Sequence, residues 1–145
     1  MSASEGIIAG ILAGIFMGIV SEIGYRLGVL RASLPIVDGS FAAKLLKVKP
    51  ETWRVYILGA PIHLVTSAIF GIVYYALGLA LDFEPSSPGV ITAYVAILWL
   101  SMLFVALPAA GQGFLGSKMG QFAWLEQLVL HIVFGIGFWW AWEIV

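Results

Sequence analysis

The sequence predicts an all-α integral membrane protein, a four-helix bundle that forms one domain over residues 1–145. Of the 145 residues, 61% are hydrophobic and only 10% are charged, against about 25% charged residues in an average soluble domain. A soluble monomer of this size exposes too much surface to be covered by so few polar groups. The same composition excludes a disordered chain and a nucleic-acid-binding protein with a broad basic face.

Four apolar stretches are long enough to cross the hydrocarbon core of a bilayer, which takes about 20 residues of helix. They cover residues 6–30, 53–81, 89–107 and 122–145. The residues before the first stretch include Glu5 and no basic side chain, so we expect a retained span and not a cleaved signal peptide. The connections between the spans are too short to form a separate soluble domain.

All seven Lys and Arg residues lie on one side of the predicted bundle. With four spans, the first and third connections share a side, and with the adjoining helix ends they carry Arg26, Arg31, Lys44, Lys47, Lys49, Arg54 and Lys118. The other side carries Glu5, Asp82, Glu84 and Glu143. Because positively charged loops stay in the cytoplasm, we expect both these connections to be cytoplasmic and both termini outside, in the inner (plasma) membrane.

The first connection contains a further helical pattern over about residues 40–49. Residues 38–40 (Asp-Gly-Ser) offer side chains for an N-cap, and apolar residues then alternate with Lys44 and Lys47. This pattern predicts a short amphipathic helix on the inner leaflet, with its lysines near lipid phosphates. The helix anchors the loop in one interpretation and docks a partner in the other.

Four glycines of the first span are spaced four residues apart, at Gly6, Gly10, Gly14 and Gly18. Positions four apart share a helix face, and a face of small residues lets a neighbouring backbone approach closely. The strip therefore predicts a close helix–helix contact. Two interpretations are open, namely packing against another span of the same chain and an interface with a second subunit.

Three ionisable side chains on different spans, Glu22, His63 and His131, are predicted at a similar depth. At a rise of 1.5 Å per residue, each lies about 12–16 Å from the cytoplasmic end of its helix. Because charges are costly in hydrocarbon, each is a functional candidate. One hypothesis is that these three residues together bind a divalent cation or relay protons.

His63 and His131 are the only histidines, and their sequence contexts match. Each is followed by Phe-Gly-Ile and then by an aromatic pair, which indicates a duplicated two-helix unit. Since neutral imidazoles ligate haem iron, the pair predicts a b-type haem or a pigment held between them. The alternative is that each histidine bonds within the bundle, His63 with Ser67 and His131 with Gln127.

Signatures of enzymes are missing from the sequence. Residues 111–116 match GxGxxG, but they lie between two spans with no preceding strand, so they do not predict a dinucleotide site. The chain has no cysteine, which excludes thiolate metal sites and cysteine nucleophiles. We therefore expect the protein not to be an enzyme.

The stretch 130–140 (LHIVFGIGFWW) and the region 107–116 resemble small four-span prokaryotic membrane proteins of uncharacterised function. This resemblance implies a four-helix fold and no activity. Because almost no polar surface lies outside the predicted bilayer, we expect an accessory subunit of a larger membrane complex, with other membrane subunits or copies of itself as partners. The alternatives are a haem- or pigment-binding electron-transfer subunit that uses His63 and His131, and an ion or proton transport component that uses Glu22 and the histidines.

Overall fold

The computed structural model describes residues 2–49 and 51–145, and over these ranges the regular structure is entirely helical. Five helices make up the fold: α1 (Ala3–Arg26), α2 (Leu34–Leu45), α3 (Thr52–Leu81), α4 (Pro88–Ala109) and α5 (Ala123–Ile144). All except α2 are long and apolar enough to cross a membrane. The prediction of four apolar helices is confirmed, with every boundary within four residues of the predicted one.

Helix α1 begins and ends where local chemistry supplies its caps. The Ser2 hydroxyl accepts the Glu5 N–H at 3.2 Å, and the Glu5 carboxylate accepts the Ser2 N–H at 2.7 Å, which is a capping box. At the other end, Gly28 takes a left-handed φ of 72°, and the Val29 N–H reaches the Gly24 carbonyl. This Schellman-type end stops the helix four residues before the predicted end of the first span.

The long helices pack in the order α3, α1, α5, α4, so α1 lies between two neighbours. Helix α1 runs antiparallel to α3, because Gly6 lies against Gly71 near one end and Glu22 against Tyr56 near the other. We call the end where α1 finishes and α3 starts the basic end. On a neighbouring face of α1, Ala13 is fully buried beside Gly137 of α5, so small residues bring α1 close to both neighbours.

The prediction of an amphipathic helix over residues 40–49 is wrong in its bounds, and the position of this helix on the inner leaflet stays a prediction. Helix α2 begins at Leu34, with Pro35 in its first turn, where a proline is compatible with a helix. Residues 46–49 lie beyond its end. Its buried face includes Gly39 and Ala43, and this face of small residues packs on α3, where the backbones of Gly39 and Val55 meet. Helix α2 therefore folds back along α3.

Helix α4 contains a π-helical turn over Met102–Ala106. Pro108 lies two residues beyond this turn, and a proline removes one helical N–H and crowds the carbonyl four residues before it. A wider turn relieves this crowding, which allows the helix to continue to Ala109. The third predicted span is extended by two residues for this reason.

An aromatic cluster joins α3, α4 and α5 at the end opposite the basic end. Its centre is Tyr74, which is fully buried, and the ring centroids of Tyr94 and Phe138 lie 5.0 Å from that of Tyr74. The Tyr74 hydroxyl donates to the Pro85 carbonyl at 2.9 Å, and the Tyr94 hydroxyl donates to the Phe70 carbonyl at 2.7 Å. This cluster connects α3 with α4 and α5, and the contacts of α3 with these two helices are otherwise slight.

The duplication of a two-helix unit stays a prediction. Both α1 with α3 and α4 with α5 form packed pairs. Only the first pair has an additional helix between its members in the chain, since α2 occupies that connection and the connection between α4 and α5 contains a short 3-10 turn at Phe114–Gly116.

Candidate functional site

The candidate site is a groove of about 320 Å³ between α1 and α3, closed on one side by the start of α2. We call it the Glu22–His63 groove, after the two ionisable side chains that line it. Its wall also includes Gly14, Gly18, Pro35, Ala60 and Leu64. Two of the sequence-predicted site residues, Glu22 and His63, are therefore brought to one surface of the fold.

The His63 ring is held from both sides. Its Nε2 lies 3.0 Å from the Gly14 carbonyl oxygen, and its Nδ1 lies 3.4 Å from Oδ2 of Asp38. The side chain is 12% exposed and that of Asp38 is 24% exposed. Gly18 of α1 lies beside the ring, and a Cβ there would lie 3.6 Å from the imidazole, an ordinary van der Waals distance.

The contact between Asp38 and His63 is an ion pair only when the imidazole is protonated. A carbonyl oxygen only accepts, so Nε2 must carry a proton and donate it to Gly14. In the neutral ring Nδ1 is then an acceptor, and it faces a carboxylate that also only accepts. An attractive contact needs a further proton, carried either by the imidazole or by the carboxyl group.

Glu22 forms a second polar group in the same groove. Its carboxylate accepts from Arg26 Nε at 2.7 Å and from the Tyr56 hydroxyl at 3.0 and 3.1 Å. The Glu22 side chain is 22% exposed and that of Arg26 is 75% exposed, so this pair extends from the groove toward solvent at the basic end. The ion pair with Arg26 follows from their i, i+4 spacing.

His131 lies in a different groove, between α4 and α5. It is 6% exposed, and its Nδ1 lies 2.7 Å from the backbone carbonyl of Gln127. None of the residues that line this groove also lines the Glu22–His63 groove. The structure therefore does not bring His63 and His131 to one groove, and the haem between them stays a prediction.

The predicted metal site of Glu22, His63 and His131 is not formed. Within residues 2–49 and 51–145, no three His, Asp or Glu side chains are placed so that they could share a metal ion. The predicted partners of the histidines differ in detail. Ser67 donates to the backbone carbonyl of His63 at 2.8 Å and not to its ring, and Gln127 contributes its backbone carbonyl and not its amide.

The glycine strip lies against α3 of the same chain. A Cβ on Gly6 would lie 2.7 Å from the Gly71 carbonyl oxygen, and one on Gly10 would overlap the backbone of Ser67. At Gly14 the overlap is with the Ser67 side chain. Of the two interpretations of the strip, the structure contains the intramolecular contact.

Asp38 and Tyr56 are functional candidates that the sequence analysis missed. Asp38 lies in the connection that was treated as an interfacial segment, and Tyr56 lies near the predicted start of a span where an aromatic residue is usual. The available signal was the run of small residues at Gly39, Ala42 and Ala43, which is typical of a packed helix face. Because this face packs on α3, it brings Asp38 of the same helix to His63.

In comparisons with models of protein families, with curated proteins and with solved structures, the chain matches none. The predicted resemblance to small four-span prokaryotic membrane proteins stays a prediction. The argument for a function therefore depends on the residues of the two grooves.

Proposed function

We propose that the protein is a multi-pass membrane protein that carries protons, or ions coupled to protons, through the Glu22–His63 groove. The observation that carries this proposal is the contact between Asp38 and His63, since it brings a carboxylate of the short helix α2 to an imidazole on α3, a helix of transmembrane length. Ionisable residues inside a membrane typically mark proton relays and ion pathways. The proposal retains Glu22 and His63 from the sequence-based transport hypothesis and replaces His131 by Asp38.

The depth of the pair supports this role. His63 is the twelfth residue of α3, which places it about 16 Å from the start of that helix at 1.5 Å per residue. Glu22 and Tyr56 lie between this level and the basic end. A proton that enters at the basic end therefore meets the Glu22 carboxylate first and the Asp38–His63 pair second.

Proton flux into proteoliposomes tests the proposal. We expect the purified protein to carry protons down an imposed membrane potential, measured with a pH-sensitive dye inside the vesicles. Asp38→Asn should reduce the flux by about tenfold or more, because one partner of the Asp38–His63 pair can no longer ionise. His63→Gln should have the same effect.

The matched control is Asp82→Asn, which makes the same substitution in the connection at the opposite end. Asp82 is exposed and has a left-handed φ of 51°, and asparagine tolerates this conformation. The proton flux of Asp82→Asn should equal that of the unaltered protein. Equal flux in Asp38→Asn and Asp82→Asn, or no flux from the unaltered protein, would contradict the proposed function.

We also propose that the basic end faces the cytoplasm across the inner membrane. Support comes from the contacts of Arg31, whose guanidinium donates to the Met119 carbonyl at 3.0 Å and whose backbone N–H donates to Glu126 at 3.2 Å. These bonds join the first connection to the third connection and to the first turn of α5 at one end of the bundle. The basic residues of both connections therefore lie at the same end of the bundle, and the positive-inside rule applies to them as one group.

Labelling of single cysteines tests this orientation, because the natural chain contains none. A membrane-impermeant maleimide added to intact cells should label Glu84→Cys and should label Lys118→Cys only after permeabilisation. Both positions are exposed, so reactivity reports the side of the membrane. The reverse pattern would place the basic end outside.

The role of accessory subunit stays a prediction. The outer faces of α3 and α4 are apolar and exposed, with Ile57, Val65, Ile97 and Val105 among their residues. Such faces suit lipid and another helix equally well, because lipid chains are as apolar as these side chains. Purification from native membranes in mild detergent, followed by identification of bound chains, distinguishes a subunit from a protein that works alone or as a homo-oligomer.

A further inference from the structure

The second groove of the molecule, between α4 and α5, contains a histidine that the proposed proton pathway does not use. We call it the His131 groove. Its volume of about 390 Å³ falls in the range of small-molecule sites, about 300–1,000 Å³. Its walls are mainly apolar and aromatic, and they include Val95, Trp99, Ile132, Gly135 and Trp139.

Hydrogen bonding fixes the tautomer of His131. The Gln127 carbonyl can only accept, so Nδ1 carries the proton and donates it at 2.7 Å. In the neutral ring Nε2 then has a free electron pair, and it has no hydrogen-bond partner among the residues that the structure describes. A histidine whose other nitrogen donates to a backbone carbonyl is the usual arrangement of a metal-ligating histidine.

The other polar groups of this groove are already engaged. The Thr92 hydroxyl donates to the Pro88 carbonyl at 2.7 Å, and the Trp99 indole N–H donates to the Trp124 carbonyl at 3.2 Å. Nε2 of His131 is therefore the group left to orient a ligand. A ligand that suits it must accept an electron pair or donate a hydrogen bond, which excludes a quinone bound through its carbonyl oxygen.

A single nitrogen ligand in an apolar groove indicates a metal that is already chelated. A free cation needs several protein ligands, and no three acidic or histidine side chains gather in the described ranges. A metal at the centre of a planar tetrapyrrole needs only one axial ligand, as when one histidine holds a haem. Gly135, one turn beyond His131, also lines the groove, and Val95 of α4 packs against it, 3.4 Å from where a Cβ would stand.

We propose that the His131 groove binds a metallated planar tetrapyrrole, with Nε2 of His131 as its one axial ligand from this chain. The ring would lie against the apolar and aromatic side chains that line the groove, which include Val95, Trp99, Ile132 and Trp139. This site is independent of the proton pathway, since it shares no lining residue with the Glu22–His63 groove.

Titration of the full-length protein in lipid nanodiscs tests this site with two probes, zinc protoporphyrin IX and metal-free protoporphyrin IX. We expect saturable binding of one zinc porphyrin per chain, with a red-shifted Soret band that reports coordination by nitrogen. The metal-free ring should bind about tenfold more weakly or worse, since it loses the bond to His131 and keeps only the apolar contacts.

Two variants separate coordination from partition of the porphyrin into lipid. His131→Gly should abolish the Soret shift, and free imidazole should restore it by occupying the space of the lost ring. Val129→Ala, on an exposed position of the same helix, should bind as the unaltered protein does. The proposal is overturned if both porphyrins bind equally well, or if His131→Gly keeps the shift.

A third variant tests whether weaker binding by His131→Gly results from a defect in folding. Gly135→Leu leaves the histidine in place and fills the groove beside Val95, whose nearest atom would lie 3.4 Å from an added Cβ. It should weaken binding of the zinc porphyrin by about tenfold or more while the helical circular dichroism stays unchanged. Undiminished binding in Gly135→Leu would show that the ring lies elsewhere, which also overturns the proposal.

Discussion

Gly10→Ala is expected to lower the free energy of unfolding by about 1–3 kcal/mol, the usual cost of forcing extra atoms into a packed contact. An added Cβ would overlap the Ser67 carbonyl and lie 3.0 Å from its carbonyl carbon and 3.1 Å from the Gly71 N atom. These are backbone atoms in the middle of a 30-residue helix, so they cannot rotate away. The helices α1 and α3 must separate instead.

The matched control is Gly18→Ala, on the same face of the same helix. Its Cβ would meet nothing closer than the His63 ring at 3.6 Å, an ordinary van der Waals distance. Alanine also favours a helix over glycine by about 0.8–1.0 kcal/mol. Gly18→Ala should therefore be neutral or slightly stabilising.

Gly14→Ala should fall between these two variants. The overlap at Gly14 is with the hydroxyl and Cβ of Ser67. The hydroxyl can move away by a change of rotamer, and only the Cβ, which is fixed to the backbone, requires a shift of the helices. Thermal unfolding in detergent, followed by circular dichroism, should therefore rank the variants Gly18→Ala, Gly14→Ala and Gly10→Ala in order of decreasing midpoint. If all three unfold together, the contact between α1 and α3 is not the one described.

The sequence predicted the long helices well because their signal is local. A run of about 20 apolar residues is sufficient for a transmembrane helix, and the caps at Ser2 and Gly28 adjust only its ends. The sequence was less informative about α2. Its alternation of lysines with apolar residues resembles an interfacial helix, whereas its position depends on contact with Gly59 of α3, which the pattern of one segment does not contain.

The candidate site was predicted in part for a similar reason. Residue number gives the depth of a side chain in a span, and Glu22 and His63 do line one groove. Depth does not give the neighbour that a helix face meets. Because α1 lies between α3 and α5, His131 at a similar depth faces a separate groove, and Asp38 of a short inserted helix takes its place beside His63.

The second large effect is expected at the opposite end, in the aromatic cluster around Tyr74. Tyr74→Ala should cost about 3 kcal/mol, the lower end of the range for removing a buried aromatic ring. The lower end applies because an unfolded helix in a bilayer still surrounds this side chain with lipid, so the cost of its transfer from water is absent. The loss of packing and the resulting cavity remain.

Tyr74 has unusually many contacts to lose. Its ring centroid lies 5.0 Å from that of Phe138, 5.1 Å from that of Phe83 and 5.8 Å from that of Trp142. These rings belong to α5 and to the connection between α3 and α4, so one truncation loosens three parts of the chain. Because Trp142 is one of these neighbouring rings, the tryptophan fluorescence of the protein should change when the Tyr74 ring is removed.

Tyr74→Phe separates packing from hydrogen bonding at this position. It keeps the ring and removes only the hydroxyl that donates to the Pro85 carbonyl at 2.9 Å, so it should cost about 1 kcal/mol. Tyr25→Ala, at an exposed tyrosine of α1, should change the unfolding midpoint little. If Tyr74→Ala were no less stable than Tyr74→Phe, the cluster would not hold α4 and α5 against α3.

The two grooves lie between different pairs of helices, the His131 groove between α4 and α5 and the Glu22–His63 groove between α1 and α3. The aromatic cluster includes residues of α4 and α5 and none of α1. Tyr74→Ala should therefore weaken porphyrin binding in the His131 groove more than it reduces proton flux through the Glu22–His63 groove.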